Sequence, residues 1–171
     1  MKLIYKVPEK TKYKNVREVL KVEFSISDRL LLKLKKLQKV SLNNNKVYMH
    51  HAIKSGDLIE CNLDYEEDIS NIKPAPIPLS IIYEDESYLV INKPDGIPVH
   101  PSMSYYTNSL SNGVRYYFDK IGLHKKIRPV NRLDKDTTGL VIFAKNEYIQ
   151  ECLIRQMISK NFMKKYIAVI G

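Results

Sequence analysis

An Arg two residues ahead of an Asp, in a polar loop that leads into an apolar strand, is the arrangement in this sequence best suited to chemistry. The stretch is Pro129-Val130-Asn131-Arg132-Leu133-Asp134-Lys135-Asp136-Thr137-Thr138-Gly139, followed by Leu140-Val141-Ile142-Phe143-Ala144. A carboxylate can add to an electrophilic carbon and leave again, or accept a proton in a later step. Asp134 stands where such a group is expected. The Leu before it and the turn-forming Asp-Thr-Thr-Gly after it predict a carboxylate at the edge of a core, held by nearby backbone N–H groups. The Arg132 guanidinium both stacks and makes forked hydrogen bonds. Plainer roles stay open at this level: Asp136, Thr137 and Gly139 turn the chain into the strand, Asp134 is a solvated loop acid, and Arg132 pairs with Asp134 or Asp136.

The elements that must position this loop follow from patterning. Ser80-Ile81-Ile82-Tyr83 and Tyr88-Leu89-Val90-Ile91 flank an acidic turn at Glu84-Asp85-Glu86 and read as a hairpin. Asn92-Lys93-Pro94-Asp95-Gly96-Ile97-Pro98-Val99-His100-Pro101 carries three prolines and a glycine and is a shaped loop, in which Lys93 and His100 could meet phosphates; Lys93 is the one selected. The spacing predicts a helix over 109–121 with Val114, Tyr117, Phe118 and Ile121 inward. A second begins near Asn146 and buries Ile149, Cys152, Leu153, Gln156 and Met157. Residues 164–171 read as a core strand entered from a basic loop.

Composition describes a soluble globular protein: 171 residues, 44% hydrophobic, 27% charged. No apolar run has the length of a signal peptide or a membrane span, which gives a cytoplasmic expectation. Cys61 and Cys152 form no Cys-x-x-Cys pattern and the four histidines lack ligand partners, so buried free thiols and no metal site are expected. The net charge of +9 is uneven. Residues 1–63 hold 14 Lys and Arg against 6 Asp and Glu, residues 64–77 hold one against four, and residues 78–171 hold 13 against 9. A polyanion partner, nucleic acid before an anionic membrane, accounts for that distribution.

The basic part begins with a candidate edge strand at 2–6 and a short helix at 16–20. A longer helix is predicted from Ser25 or Ser27 to about Gln38. Leu30, Leu34 and Leu37 share its inner face, while Arg29, Lys33 and Lys36 repeat the same spacing and form a basic ridge. Val40-Ser41-Leu42 and Lys46-Val47-Tyr48-Met49 flank Asn43-Asn44-Asn45, and Ser55-Gly56-Asp57 turns into Leu58-Ile59-Glu60-Cys61, giving a small antiparallel sheet. Residues 64–77, with Glu66, Glu67, Asp68, Pro74 and Pro76, read as an acidic, extended linker.

Asn131-Arg132-Leu133-Asp134, two residues, then Thr137-Thr138-Gly139 and an apolar strand resembles the His-Arg-Leu-Asp signature of the RluA-type RNA pseudouridine synthases, with Asn131 in place of the His. Asn92-Lys93-Pro94 through Val99-His100-Pro101 and Lys164-Lys165-Tyr166 resemble two further segments of that family. Residues 16–63 resemble the alpha-L RNA-binding motif. These resemblances imply an α+β chain: an αα-β RNA-binding domain at 1–63, a linker at 64–77, and the N-terminal part of a mixed or antiparallel catalytic domain at 78–171. They imply isomerisation of uridine to pseudouridine in RNA, ribosomal rather than transfer, without cofactor or metal. Asp134 would act at the sugar or in elimination, Arg132 would hold the space or phosphate beside the extracted base, and Tyr166 would stack on the uracil. Arg29, Lys33, Lys36 and Lys93 would bind RNA.

The family's domain continues past the Lys-Lys-Tyr segment, which gives the expectation of a truncated chain with an unpaired sheet edge, open to self-association. A catalytically inactive RNA-binding protein is the alternative. Asp134-Lys-Asp136-Thr-Thr138 also matches the Asp-x-Asp-x-Thr loop of haloacid dehalogenase-type phosphatases, but there the apolar strand precedes the motif, whereas here it follows.

Overall fold

Alternation at Lys2-Leu3-Ile4-Tyr5-Lys6 produces the first strand, β1 (Lys2–Lys6), with Leu3 and Tyr5 turned inward. The computed structural model describes residues 1–67 and 72–168, and the chain divides into two compact units, 1–67 and 68–171. In the first unit β1 is followed by α1 (Val16–Val22), α2 (Asp28–Lys36), β2 (Val40–Leu42), β3 (Asn45–Lys46) and β4 (Leu58–Asn62). The strands form one antiparallel sheet in the order β1-β4-β2-β3, which puts β1 at an edge as expected.

Asn15 caps α1 by accepting from the Glu18 N–H, and Ser27 caps α2 by accepting from the Leu30 N–H. Ser25, the other candidate cap, instead takes a left-handed conformation at φ 51°. The inner face of α2 is Leu30, Leu31 and Leu34. Leu37 lies beyond the last helical turn, as the C-cap, and is exposed. Asn43 and Asn44 both have positive φ, the backbone that a two-residue hairpin between β2 and β3 demands. The second strand of that hairpin is shorter than the sequence predicts, because the chain leaves the sheet after Lys46. The Met49 side chain enters the core, and the Met49 and His51 carbonyls accept from the N–H groups of Arg17 and Val16. Those are first-turn donors that α1 cannot satisfy from within.

Asp57 fastens the same hairpin. Its carboxylate accepts from the Lys54 N–H and from Asn43 Nδ2, both at 2.9 Å. The Lys54 N–H first, and Asn43 second, hold its pKa below the usual 3.8. A depressed carboxylate stabilises the fold above its unfolded value and loses that contribution as pH falls through the folded one. Acid unfolding followed by circular dichroism should therefore show the first unit weakening below about pH 4, and Asp57→Asn should remove that part of the acid limb.

The second unit contains β5 (Ser80–Glu84), β6 (Tyr88–Lys93), a 3₁₀ turn (Met103–Tyr105), α3 (Leu110–Lys120), β7 (Arg128–Pro129), β8 (Gly139–Ala144) and α4 (Glu147–Ile158). Its sheet is antiparallel, in the order β5-β6-β8-β7. The fold class is thus α+β. One face of β6 and β8, through Leu89, Ile91, Val141 and Phe143, packs on Leu110, Val114 and Phe118 of α3. Gly113 lets the chain at Ile77 and Leu79 lie directly on α3, since a Cβ there would stand 3.0 Å from both side chains. The Asn112 side chain donates to the Lys73 carbonyl and the Ala75 N–H to the Asn112 carbonyl, so the proline-containing stretch is docked along the helix.

Three expectations for this unit need correction. Ile121 follows the last turn of α3 and is exposed. On α4, capped by Asn146, only Glu147 is buried; Ile149, Cys152, Leu153 and Met157 are half-covered and Gln156 is exposed. Residues 163–168 have no regular secondary structure, because no strand among the described residues lies beside them to fill a hydrogen-bond ladder; residues 169–171 lie outside the described set. Both thiols are free, Cys61 buried and pushed up to about 12 by that burial, Cys152 half-buried. Among the described residues no helix is long and apolar enough to cross a membrane.

Candidate active site

The loop from Val130 to Thr138 leaves β7 and returns into β8, and its residues alternate between anchoring and facing outward. Val130 is buried and its N–H donates to the Ile142 carbonyl at 2.7 Å. Asn131 donates from Nδ2 to the Leu140 carbonyl and accepts at Oδ1 from the Ile142 N–H, both at 2.9 Å. Leu133 packs against the core formed by α3 and the sheet. Gly139, at φ 128°, makes the turn back into β8 in a conformation that favours glycine. Between these anchors Arg132 and Asp134 face solvent.

Asp134 is placed differently from the expectation. Its backbone carbonyl accepts from the Thr137 N–H at 3.1 Å, closing a turn, but among the described residues its carboxylate accepts no hydrogen bond. The acid is held by the backbone around it and its oxygens face solvent. Arg132 forms no ion pair with Asp134 or Asp136 among the described residues, so the plainer role proposed for it is not the one it has.

Asn131 has a structural place at this position, bonded through its amide to the backbone of β8. An amide presents a donor and an acceptor side by side, as a peptide group does, and so completes two rungs along β8; the two nitrogens of an imidazole diverge. Asn131→Asp keeps the acceptor and replaces the donor with an oxygen aimed at the Leu140 carbonyl. That variant should lose roughly 0.5–1.5 kcal/mol of stability, since the bond removed is exposed to solvent, measured as a shifted urea midpoint.

Lys93 is the clearest correction. Rather than facing RNA, its side chain is fully buried, and its ammonium donates to the carbonyls of Pro94, Ile97 and Lys135 at 2.7–2.8 Å. It therefore ties the proline-rich loop after β6 to the loop that carries Asp134. Burial pushes its pKa below 10.5, opposed by the negative charges of Asp136, Asp95 and Asp134. The proline-rich segment acts as scaffold through Lys93, and it is His100, exposed, that comes into the electrostatic neighbourhood of Arg132. Crowding by protein lowers the His100 pKa, and the Arg132 charge lowers it further.

One neighbour of the loop, Tyr105, was missed in the sequence. The Lys135 ammonium stands 5.4 Å from the centre of the Tyr105 ring, and hydrogen bonding to Tyr105, then the charge of Asp136, raises its pKa. Tyr105 belongs to a turn with no motif of its own, so only the folded chain reveals it. Tyr166, by contrast, is 64% exposed and makes no hydrogen bond or ring contact among the described residues, and the structure does not bring it to Asp134. On α2, Arg29 and Lys36 are exposed, but Lys33 is engaged: its ammonium pairs with Glu67 at 2.9 Å and lies 4.6 Å from the Tyr65 ring. The acidic stretch after residue 63 supplies that partner. No group of three or more His, Cys, Asp or Glu side chains placed to hold a metal occurs among the described residues.

Comparison with known proteins bears on the same residues. The RNA pseudouridylate synthase family matches residues 87–171. The uncharacterized RNA pseudouridine synthase YlyB of Bacillus subtilis is 37% identical over 134 residues, 77% of this chain and 44% of that protein. Ribosomal large subunit pseudouridine synthase D of Borreliella burgdorferi is 39% identical over 119 residues, 65% of this chain and 36% of that protein. This chain thus spans less than half the length of these relatives. The solved structure of human RNA pseudouridylate synthase domain containing 4 aligns with a TM-score of 0.40 at 24% identity, over 48% of this chain and 30% of that one. The family match takes in the whole anchored loop, β6 and β8, and the chain belongs to the RluA-type family of RNA pseudouridine synthases.

Proposed function

We propose that this chain carries the Asp-bearing loop of an enzyme that isomerises uridine to pseudouridine in RNA, with ribosomal RNA of the large subunit as the substrate class. The observation that carries the reading is the loop itself: a carboxylate and a guanidinium, both exposed, on a backbone fixed by Val130, Asn131, Leu133 and Lys93. In the reaction the bond from C1′ to N1 breaks, the base turns while bound, and C5 joins C1′. N1 gains a proton and C5 loses one to water. Asp134 acts at the sugar, and Arg132 occupies the space or holds the phosphate beside the extracted nucleotide. The ribosomal assignment rests on similarity to relatives such as ribosomal large subunit pseudouridine synthase D, and RNA docking is assigned to the basic first unit.

Release of tritium from RNA containing 5-tritiated uridine tests this directly, because the hydrogen at C5 is the one lost. Release of one tritium per pseudouridine formed is expected. RNA binding without release would sink the isomerase reading for this chain and leave it as an RNA-binding protein.

A further inference from the structure

A groove of about 230 Å³ lies between α2 and the segment that leaves β3, floored by Leu34, Val40 and Met49 and rimmed by Lys35, Lys46 and Tyr48. A second groove of about 180 Å³ shares Lys35 and Met49 with it and adds Arg17 and His50. No acid lines the first groove. The acid lining the second, Asp28, is paired with Arg17 and Lys21. Lys46 donates to the neutral Gln38 amide oxygen, and neither it nor Lys35 forms an ion pair among the described residues, so the positive charge of the rim is not cancelled.

Tyr48 is 83% exposed although the backbone beneath it is firmly held. Its carbonyl accepts from the His51 N–H at 3.0 Å, its neighbour Met49 is buried, and the Met49 carbonyl accepts from Arg17 at the start of α1 at 2.8 Å. An aromatic ring raised on an ordered loop, in a groove with an apolar floor and two lysines in its lining, suits an occupant that is flat, partly apolar and anionic. A nucleotide has those properties. A base inside a duplex has no open face to offer, whereas an unpaired one can stack.

We propose that this groove binds an unpaired nucleotide of RNA, its base stacked on Tyr48 and the flanking phosphates on Lys35 and Lys46. The proposal deepens the RNA-docking role given above to the first unit and rests on it. The lining of the groove includes neither Arg29 nor Lys36 of the ridge.

The test is fluorescence anisotropy with the whole chain, using a labelled oligouridine and a labelled RNA duplex of equal phosphate count. Tyr48→Ala should weaken oligouridine binding on the order of 10-fold while leaving the duplex unchanged, and Tyr48→Phe should retain binding, because stacking needs the ring and not the hydroxyl. Replacing Lys35 and Lys46 together with Gln should lower the slope of log affinity against log salt by about 1.4, at roughly 0.7 per phosphate contact on a single strand. Unchanged oligouridine binding by Tyr48→Ala would overturn the proposal, as would an equal loss for both RNAs; a groove that takes a protein partner gives the first of these results. Tritium release is read separately on Tyr48→Ala with substrate in excess. Absent release from the parent chain with a normal Tyr48 effect counts against the isomerase reading alone.

Discussion

Asp134→Ala should unfold at the same urea concentration as the parent chain and show a loss of turnover of roughly 1000-fold or more. The unchanged stability follows from the structure, and the lost turnover follows from the role proposed for Asp134. Most buried carboxylates contribute to stability through the hydrogen bonds they accept, and their removal confuses chemistry with folding. The Asp134 carboxylate accepts none among the described residues, and its turn is closed by a backbone carbonyl that Ala retains. Tritium release should therefore disappear while RNA affinity and the unfolding midpoint stay where they were. A variant that still releases tritium at the parental rate would remove Asp134 from the chemistry, and a large loss of stability would show that the carboxylate has a structural partner.

Lys93→Met should give the opposite pattern, a loss of roughly 2–4 kcal/mol of stability together with impaired turnover. The ammonium satisfies three carbonyls at once, from Pro94, Ile97 and Lys135. Methionine fills a similar volume and donates to none of them. Some of that cost is offset, since an ammonium no longer has to be desolvated, but the stranded carbonyls dominate. Lys93→Arg should not restore the parent, because a planar fork cannot direct its donors to three points around one small centre. Urea unfolding checks the first effect, and tritium release at a temperature where the variant is folded checks the second. A variant as stable as the parent would show that the carbonyls find water instead.

How much of this was legible in the sequence depended on whether local pattern or tertiary contact decided each feature. Ser27 and Asn146 mark helix starts by chemistry that acts within three residues, whereas the continuous apolar runs of β6 and β8 mark strands without telling which of their residues face α3. The anchoring of the loop involves partners far apart in sequence. Nothing near Lys93 announces that its ammonium will meet the carbonyl of Lys135, and a lysine in a proline-rich loop reads as exposed until that contact is seen. Lys33 misled in the same way, because its helix face was judged without the Glu67 that pairs with it. Asn131 departs from the family pattern, and only the register of β8 shows what an amide does there.

That amide also settles where another chain could add a strand. β7 is only two residues long, and a backbone ending there would leave Leu140 and Ile142 with open groups along the outer edge of β8, a template for intermolecular pairing. Val130 covers the Ile142 carbonyl, and Asn131 covers the Ile142 N–H and the Leu140 carbonyl. A single side chain thus extends the ladder while the backbone turns outward to present Arg132. The loop proposed to offer its carboxylate to a substrate is thus also the one that covers this margin of the sheet against a neighbouring molecule, and Asn131 ties the two together by fixing the loop to β8.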